Sequence, residues 1–178
     1  MALKFKILIT GLPGCGKTTL FKSLAMALLD LRPAGFYTEE IRESGVRRGF
    51  ALRGLNGKEG VLAHVDFARG HRIGKYGVDV AGFDAFLDAI HLNRPDTGLI
   101  MIDEIGKMEC LSRQFQRMVR QFLDSDRMLI ATVAWYGGGL IADIKNRTDV
   151  LIYTLTAQNR DRMPETILTA IQLSNTQP

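Results

Sequence analysis

The chain has 178 residues, of which 46% are hydrophobic and 24% are charged, and these values are typical of a globular domain rather than a disordered or fibrous protein. The formal net charge is +4, an excess that suits polyanionic ligands but does not by itself indicate nucleic-acid binding. No hydrophobic run approaches the roughly 18 residues of a membrane span, so none is expected, and the length predicts a single domain over residues 1–178.

The first motif is a glycine-rich loop between a predicted strand, residues 5–9, and a predicted helix, residues 17–31. The loop reads GLPGCGKT and fits the P-loop pattern G-x-x-x-x-G-K-[ST]. Its glycines let main-chain N–H groups turn toward a phosphate, and the helix N-terminus adds unpaired donors. We therefore expect a nucleoside triphosphate, with Lys17 on its β- and γ-phosphates and Thr18 on a Mg²⁺ ion. The expected nucleotide contacts here are Gly11, Leu12, Pro13, Gly14, Cys15, Gly16, Lys17, Thr18 and Thr19.

The two cysteines, Cys15 and Cys110, indicate a reducing compartment. Cys15 lies inside the phosphate loop, where a disulfide would distort the backbone. The N-terminal residues lead directly into the strand that carries the loop, so no cleavable signal peptide is expected. These observations predict a cytoplasmic location.

Antiparallel structure is predicted after the first helix, which Pro33 ends. Residues 34–41 form the second predicted strand. Residues 47–55 and 61–66 flank an Asn-Gly pair, which is typical of a β-hairpin. Residues 67–80 are glycine-rich and basic without a clean period, and we expect them to form a loop near the nucleotide.

Strands and helices alternate through the rest of the chain. The predicted strands are residues 98–103, 127–133 and 149–155. The first two predicted helices are residues 81–93 and 112–123, the latter with Ser112 as its cap. A short helix follows the glycines at 137–139 and ends at about Lys145, and the last helix begins near Arg160 with Pro164 in its first turn. This alternation predicts an α/β fold of the three-layer P-loop type, a mostly parallel sheet with helices on both faces and the added antiparallel hairpin. Ligands of such sheets bind at the carboxyl ends of the strands.

The most strand-like run ends in two acids. Residues 99–104 read LIMIDE, which fits the Walker B pattern. A buried strand there would carry Asp103 to the Mg²⁺, through a water molecule. Glu104 would lie where it could orient or deprotonate the water that attacks the γ-phosphate. Glu109 is the alternative base, and the sequence does not decide between the two.

A longer stretch around these acids, IDEIGKME, resembles the signature of the small P-loop nucleoside-triphosphatase family that includes the human cancer-related nucleoside triphosphatase and its bacterial and archaeal relatives. Residues 35–42, 47–50 and 74–78 are similar to other segments of that family. The resemblance implies a RecA-like or adenylate-kinase-like fold and Mg²⁺-dependent hydrolysis of ATP, GTP and other nucleoside triphosphates to diphosphate and phosphate, with broad base tolerance. It also implies nucleotide contacts by Ile102, Asp103, Glu104, Ile105, Gly106, Lys107, Met108 and Glu109.

Several residues at predicted strand ends are further candidates. Asn159 and Arg160 follow the last strand, where P-loop proteins often hold the base, and we expect them to line the base pocket. Thr132 is a candidate sensor of the γ-phosphate. Tyr76 and Trp135 could stack on the base, with core packing as the equal alternative for each.

Charge that develops on the γ-phosphate requires a cation besides Mg²⁺ and Lys17. The sequence does not rank the basic residues that could supply it, and for each of them a plain surface charge is the favoured interpretation. These candidates are Lys75, Lys107, Arg113, Arg147 and Arg160. The three histidines lack metal-ligand spacing.

Two other functions use the same P-loop. A small-molecule or nucleotide kinase could hold its acceptor with Glu39, Glu40 or Arg42, but residues 134–148 contain only Lys145 and Arg147 as basic residues, which is unlike an arginine-rich lid that excludes water. A nucleotide-dependent switch could act on a nucleic-acid or protein partner through the basic stretch 69–75. We expect a monomer or a weak oligomer that does not bind membranes.

Overall fold

A single sheet of nine strands runs through the computed structural model, which describes residues 5–68 and 70–176, without the side chains of 174–176. The strands are β1 (Lys6–Gly11), β2 (Pro33–Glu43), β3 (Val46–Gly54), β4 (Glu59–His64), β5 (His71–Ile73), β6 (Tyr76–Val78), β7 (Leu99–Ile105), β8 (Met128–Ala134) and β9 (Leu151–Thr154). Their order across the sheet is β5-β6-β4-β3-β2-β7-β8-β1-β9.

The sheet has a parallel half and an antiparallel half. Strands β2, β7, β8, β1 and β9 run parallel to one another. Strands β3, β4, β6 and β5 continue from β2 by antiparallel pairing. The predicted α/β architecture is confirmed, and the predicted hairpin is the β3–β4 pair. The antiparallel half extends two strands beyond that hairpin.

The loop predicted over residues 67–80 is wrong in two respects. It contains β5 and β6, and β6 pairs with β4 through Ala63 and Val78. The two strands have three residues each, too few to show a hydrophobic period in the sequence. They also form the sheet edge opposite β9 and therefore lie far from the predicted phosphate loop, which follows β1. Arg69, part of the predicted basic stretch, lies outside the described residues.

Helices lie on both faces of the sheet. They are α1 (Lys17–Ala27), α2 (Val80–Ala89), α3 (Arg113–Asp124), α4 (Leu140–Lys145) and α5 (Met163–Thr176). Successive residues of β1 point to opposite faces, so Ile7 and Ile9 pack in the core formed with α1 and α5, and Leu8 packs in the core formed with α2, α3 and α4. This is the predicted three-layer arrangement.

Local signals explain where the helices begin. Ser112 caps α3 by accepting a hydrogen bond from the N–H of Phe115 at 2.9 Å, as predicted. Asp79 caps α2 in the same way through Gly82, also at 2.9 Å. Over the described part of the chain, no helix combines the length and the apolar character that crossing a membrane would require.

Candidate nucleotide-binding site

The predicted phosphate loop connects β1 to α1 at the carboxyl edge of the parallel half. Gly14 and Gly16 have φ angles of +78° and +107°, a region that residues with a Cβ rarely adopt. Gly11 needs its missing Cβ for another reason, since an added Cβ would lie 2.5 Å from the carbonyl oxygen of Leu155. The loop therefore requires glycine for two reasons: its backbone angles at Gly14 and Gly16, and the close approach of Leu155 at Gly11.

Lys17 folds back over this loop. Its Nζ donates hydrogen bonds to the carbonyls of Gly11, at 3.0 Å, and Leu12, at 3.4 Å. The same Nζ lies 3.6 Å from Oε2 of Glu104, and only 9% of the Lys17 side chain is exposed. The Lys17 ammonium group and the Glu104 carboxylate thus face each other.

Asp103 is held by hydroxyl groups from two different elements. Thr18 donates a hydrogen bond to its Oδ2 at 2.6 Å, and Thr132 donates one to its Oδ1. Strand β7 has one extra residue here, because Ile102 pairs with Ala131 and Ile105 with Val133, and this bulge sets the two acids opposite Thr132. Burial raises the pKa of Asp103, and the two hydroxyls and Lys17 oppose that rise.

The residues around Asp103 suit a hard divalent cation. The Thr18 hydroxyl and the Asp103 carboxylate supply two adjacent oxygens, the ligand type that Mg²⁺ prefers, and Mg²⁺ usually completes its shell with water and substrate phosphates. Within the described ranges, no cluster of three or more His, Cys, Asp or Glu side chains could hold a metal alone. An ion here would take its remaining ligands from water or from substrate phosphates.

Glu104 and Glu109 approach the same point from different sides. A Cβ added to Gly106 would lie 3.2 Å from Oε1 of Glu104 and 2.8 Å from Oε2 of Glu109. Glu104 keeps 30% of its side chain exposed, whereas Glu109 is buried in the turn before α3. Burial raises the pKa of both carboxyls, and that of Glu109 reaches about 8. For Glu104, the charge of Lys17 opposes the rise.

The other residues of the two predicted nucleotide segments differ in exposure. Leu12, Pro13 and Thr19 are exposed, and Cys15 is partly buried. In the second segment Ile102 and Ile105 are fully buried core residues, Met108 packs against the same core, and Lys107 is exposed. The buried pair therefore supports the strand, and nucleotide contacts by all these residues stay predictions.

The loop after β9 lies beside the phosphate loop. Leu155 donates a main-chain hydrogen bond to Thr10 at 2.7 Å. Asn159 uses its side chain within this loop, accepting from the N–H of Thr156 and donating to the carbonyl of Thr154, both at 2.8 Å. Arg160 is exposed and lies 3.8 Å from Asp161. A role of Asn159 and Arg160 in binding the base stays a prediction.

Tyr76 is a core residue rather than a stacking platform. Its ring lies 5.2 Å from that of Phe50, and its hydroxyl accepts a hydrogen bond from Arg47 at 2.9 Å. It belongs to β6, in the antiparallel half. Trp135 instead follows β8 at the carboxyl edge, with Tyr136 against it at 6.0 Å.

The structure separates the predicted cation candidates. Lys75 lies in the β5–β6 turn, with five strands between β6 and β1, or roughly 25–30 Å at the usual strand spacing. Arg147 is bound to Asp124 at 2.7 Å and Asp149 at 2.6 Å, near the amino ends of β8 and β9. Neither position is compatible with the predicted role. Lys107, Arg113 and Arg160 are exposed.

Lys145 lies close to the site, although it is not among the cations predicted to act there. Its Nζ donates to the carbonyls of Ala134, at 2.6 Å, and Trp135, at 2.9 Å. It is close enough to interact electrostatically with Glu104 and Lys17. No sequence pattern marks it, because its direction depends on how α4 packs after the glycine-rich turn.

The acids proposed to hold a kinase acceptor are already paired. Glu39 contacts Lys22 at 2.6 Å and Arg53 at 3.2 Å. Glu40 contacts Arg42 at 2.6 Å and Arg47 at 2.8 Å. Hydrogen bonds from Lys22 and Arg47 lower the pKa values of Glu39 and Glu40, respectively.

Known proteins are similar to this chain in sequence and in fold. The model of the NTPase family matches residues 6–168. Nucleoside-triphosphatase THEP1 of Thermotoga sp. strain RQ2 is 42% identical over 170 residues, which cover 95% of this chain and 97% of that protein. The human cancer-related nucleoside-triphosphatase is 35% identical over 184 residues, with 94% and 97% covered.

Two solved structures have the same architecture. The crystal structure of THEP1 from the hyperthermophile Aquifex aeolicus superposes with a TM-score of 0.83 at 34% identity and covers 94% of this chain and 99% of that one. The solution structure of a human cancer-related nucleoside triphosphatase gives a TM-score of 0.81 at 33% identity, with 98% and 100% covered.

Proposed function

The chain belongs to the NTPase family, and from that premise we propose that it hydrolyses nucleoside 5′-triphosphates to nucleoside diphosphate and phosphate, with Mg²⁺ as its cofactor. One observation carries the proposal. Glu104 Oε2 lies 3.6 Å from Lys17 Nζ, so an acid stands beside the group that binds the γ-phosphate. This is where a water molecule must be oriented for hydrolysis.

Each polar side chain of the site has a role in this reaction. Lys17 exchanges its carbonyl partners in the loop for phosphate oxygens. Thr18 and Asp103 would hold Mg²⁺, which would supply positive charge against the charge that develops on the phosphates. Thr132 keeps the Asp103 carboxylate in one orientation. In the hydrolytic step the water oxygen bonds to the γ-phosphorus, the bond to the β–γ bridging oxygen breaks, and its electron pair stays on the diphosphate.

Glu104 rather than Glu109 accepts the proton of the attacking water. A base must be ionised and accessible, and Glu104 keeps 30% of its side chain exposed beside the Lys17 charge. Glu109 is buried with a pKa of about 8, so at neutral pH it carries a proton and cannot take another. Its carboxyl instead packs beside Glu104 against Gly106.

Water is the acceptor that the surroundings favour. A kinase acceptor group would compete with Lys22 and Arg53 for Glu39 and with Arg42 and Arg47 for Glu40. Broad base tolerance is supported by Asn159, whose side-chain amide is already bonded within its own loop and has less capacity to select one base. The free thiols of Cys15 and Cys110 support the cytoplasm as the compartment.

The test is phosphate release from ATP, GTP, CTP and UTP with Mg²⁺ and no acceptor. We expect release from all four, loss of release with a chelator, and loss of release in Lys17→Ala. Lys58→Ala, an exposed lysine in the β3–β4 turn, is the matched control and should resemble the wild type. Nucleotide binding without release would favour a kinase or a switch, and release from one nucleotide only would overturn base tolerance alone.

A further inference from the structure

We propose that Lys145 binds the γ-phosphate of the substrate during hydrolysis and is the second protein cation of the active site. The inference rests on the proposed function and goes beyond it by assigning a residue that carries transition-state charge. Three kinds of observation carry it: the hydrogen bonds of Lys145, the charges around it, and the positions of the competing basic residues.

The ammonium group of Lys145 is fixed in place before a substrate arrives. Two of its three N–H donors are used by the carbonyls of Ala134 and Trp135, at 2.6 and 2.9 Å. An ammonium group has a third donor. Because Ala134 pairs with Gly11 across β8 and β1, the anchored group lies at the end of the strand adjacent to the phosphate loop. A fixed donor needs little reorganisation when charge develops on a neighbouring oxygen.

Charges on the nearest elements indicate that Lys145 faces the reaction centre. The charges of Glu104 and Lys17 act on it, and Lys145 in turn acts on Glu104. Burial lowers the pKa of Lys145, Glu104 opposes that change, and Lys17 adds to it. A γ-phosphate bound by Lys17 and attacked by a water on Glu104 would lie within the field of all three groups.

Three other basic residues fit the role less well. Lys75 lies at the opposite side of the sheet, and Arg147 is bound to Asp124 and Asp149 at the opposite end of the strands. Lys22 is neutralised by Glu39 at 2.6 Å. Lys145 donates instead to uncharged carbonyls, so its hydrogen-bond partners do not neutralise its ammonium group.

The experiment compares Lys145→Met, which removes the charge, with Lys145→Arg, which retains it. Lys145→Gln is the second charge-removing variant. Its side-chain amide can still donate hydrogen bonds to the carbonyls of Ala134 and Trp135. Lys58→Met is the control. Each protein is assayed for kcat and KM with MgATP, and for binding of ADP alone and of ADP with Mg²⁺ and tetrafluoroaluminate, a mimic of the transferring phosphoryl group.

We expect kcat to fall about 10²–10³-fold in Lys145→Met and Lys145→Gln, as for other donors to a developing anion. The fluoroaluminate complex should weaken by a comparable factor while ADP affinity stays within about twofold. Lys145→Arg should recover at least about a tenth of the wild-type kcat. A merely structural lysine would instead weaken both complexes equally.

Turnover of Lys145→Met within about threefold of the wild type, or equal weakening of both complexes, would overturn the inference and leave the proposed function intact. Absence of phosphate release by the wild-type protein would overturn the proposed function and the inference together. Wild-type release is therefore measured first.

Discussion

Thr132 donates a hydrogen bond to Asp103 from the neighbouring strand, and the carboxylate that accepts it is only 1% exposed. Thr132→Val keeps the shape of the side chain and removes the donor. Because a buried acceptor loses a partner, we expect the free energy of unfolding to fall by about 1–3 kcal/mol. Urea denaturation measures the change, and Thr132→Ser, which retains a hydroxyl, should lose less. Equal stability of the valine variant and the wild type would contradict this role.

Glu104→Gln preserves the size of the side chain and removes its basicity. We expect kcat to fall about 10²–10⁴-fold, while the affinity for MgADP stays within about threefold, because Glu104 acts on water rather than on the nucleotide. Phosphate release and equilibrium binding provide the two measurements. Glu109→Gln is the comparison, and a larger loss of kcat there would transfer the role of base to Glu109.

Glu109 should make the folded state sensitive to alkaline pH. Its pKa rises from 4.5 to about 8 on folding, so the folded chain binds this proton more tightly than the unfolded chain. The resulting stability is full below about pH 4.5 and is lost as the pH rises through about 8. Glu109→Gln stays neutral, and its free energy of unfolding should vary less between about pH 5 and 8. Urea denaturation across that range tests this.

An exposed glutamate provides the control for the pH series. Glu165→Gln changes a side chain on the surface of α5 and should leave the slope of stability against pH unchanged. If Glu109→Gln retains the wild-type slope as well, another group must be responsible for the pH dependence.

Gly11→Ala should disturb the phosphate loop where it packs against Leu155. The new Cβ would lie 2.5 Å from the Leu155 carbonyl oxygen, so the loop after β9 or the phosphate loop must shift. We expect a loss of about 1–3 kcal/mol in the free energy of unfolding and weaker nucleotide binding. Gly138→Ala is the matched control for stability, because an added Cβ there meets no atom within 4 Å. A Gly11→Ala protein as stable as this control would contradict the predicted clash.

The sequence predicted those parts of the site that depend on local patterns. The glycine loop, the strand that ends in Asp103, and the cap at Ser112 each have a short signature set by backbone chemistry. The proximity of Thr18 and Asp103 also followed from the Mg²⁺ site predicted for both, because parallel strands bring their carboxyl ends to one edge. Such proximity can be predicted from the order of strands and helices along the chain.

Features that depend on packing between distant elements could not be predicted in this way. The orientation of Lys145 depends on how α4 packs after a glycine-rich turn. Strands β5 and β6 have three residues each and form only because β4 offers a free edge. The sequence around Tyr76 is compatible with stacking on a base and with packing on Phe50. Only the position of β6 in the folded sheet distinguishes these two roles.

The contact between Gly11 and Leu155 has a consequence for synthesis on the ribosome. The phosphate loop leaves the ribosome early, but part of its wall comes from the segment after β9, and β9 is the edge strand that pairs with β1. Residues in between must be made before that wall exists. A nascent chain that ends before β9 therefore carries the complete P-loop motif without the strand and the loop that pack against it.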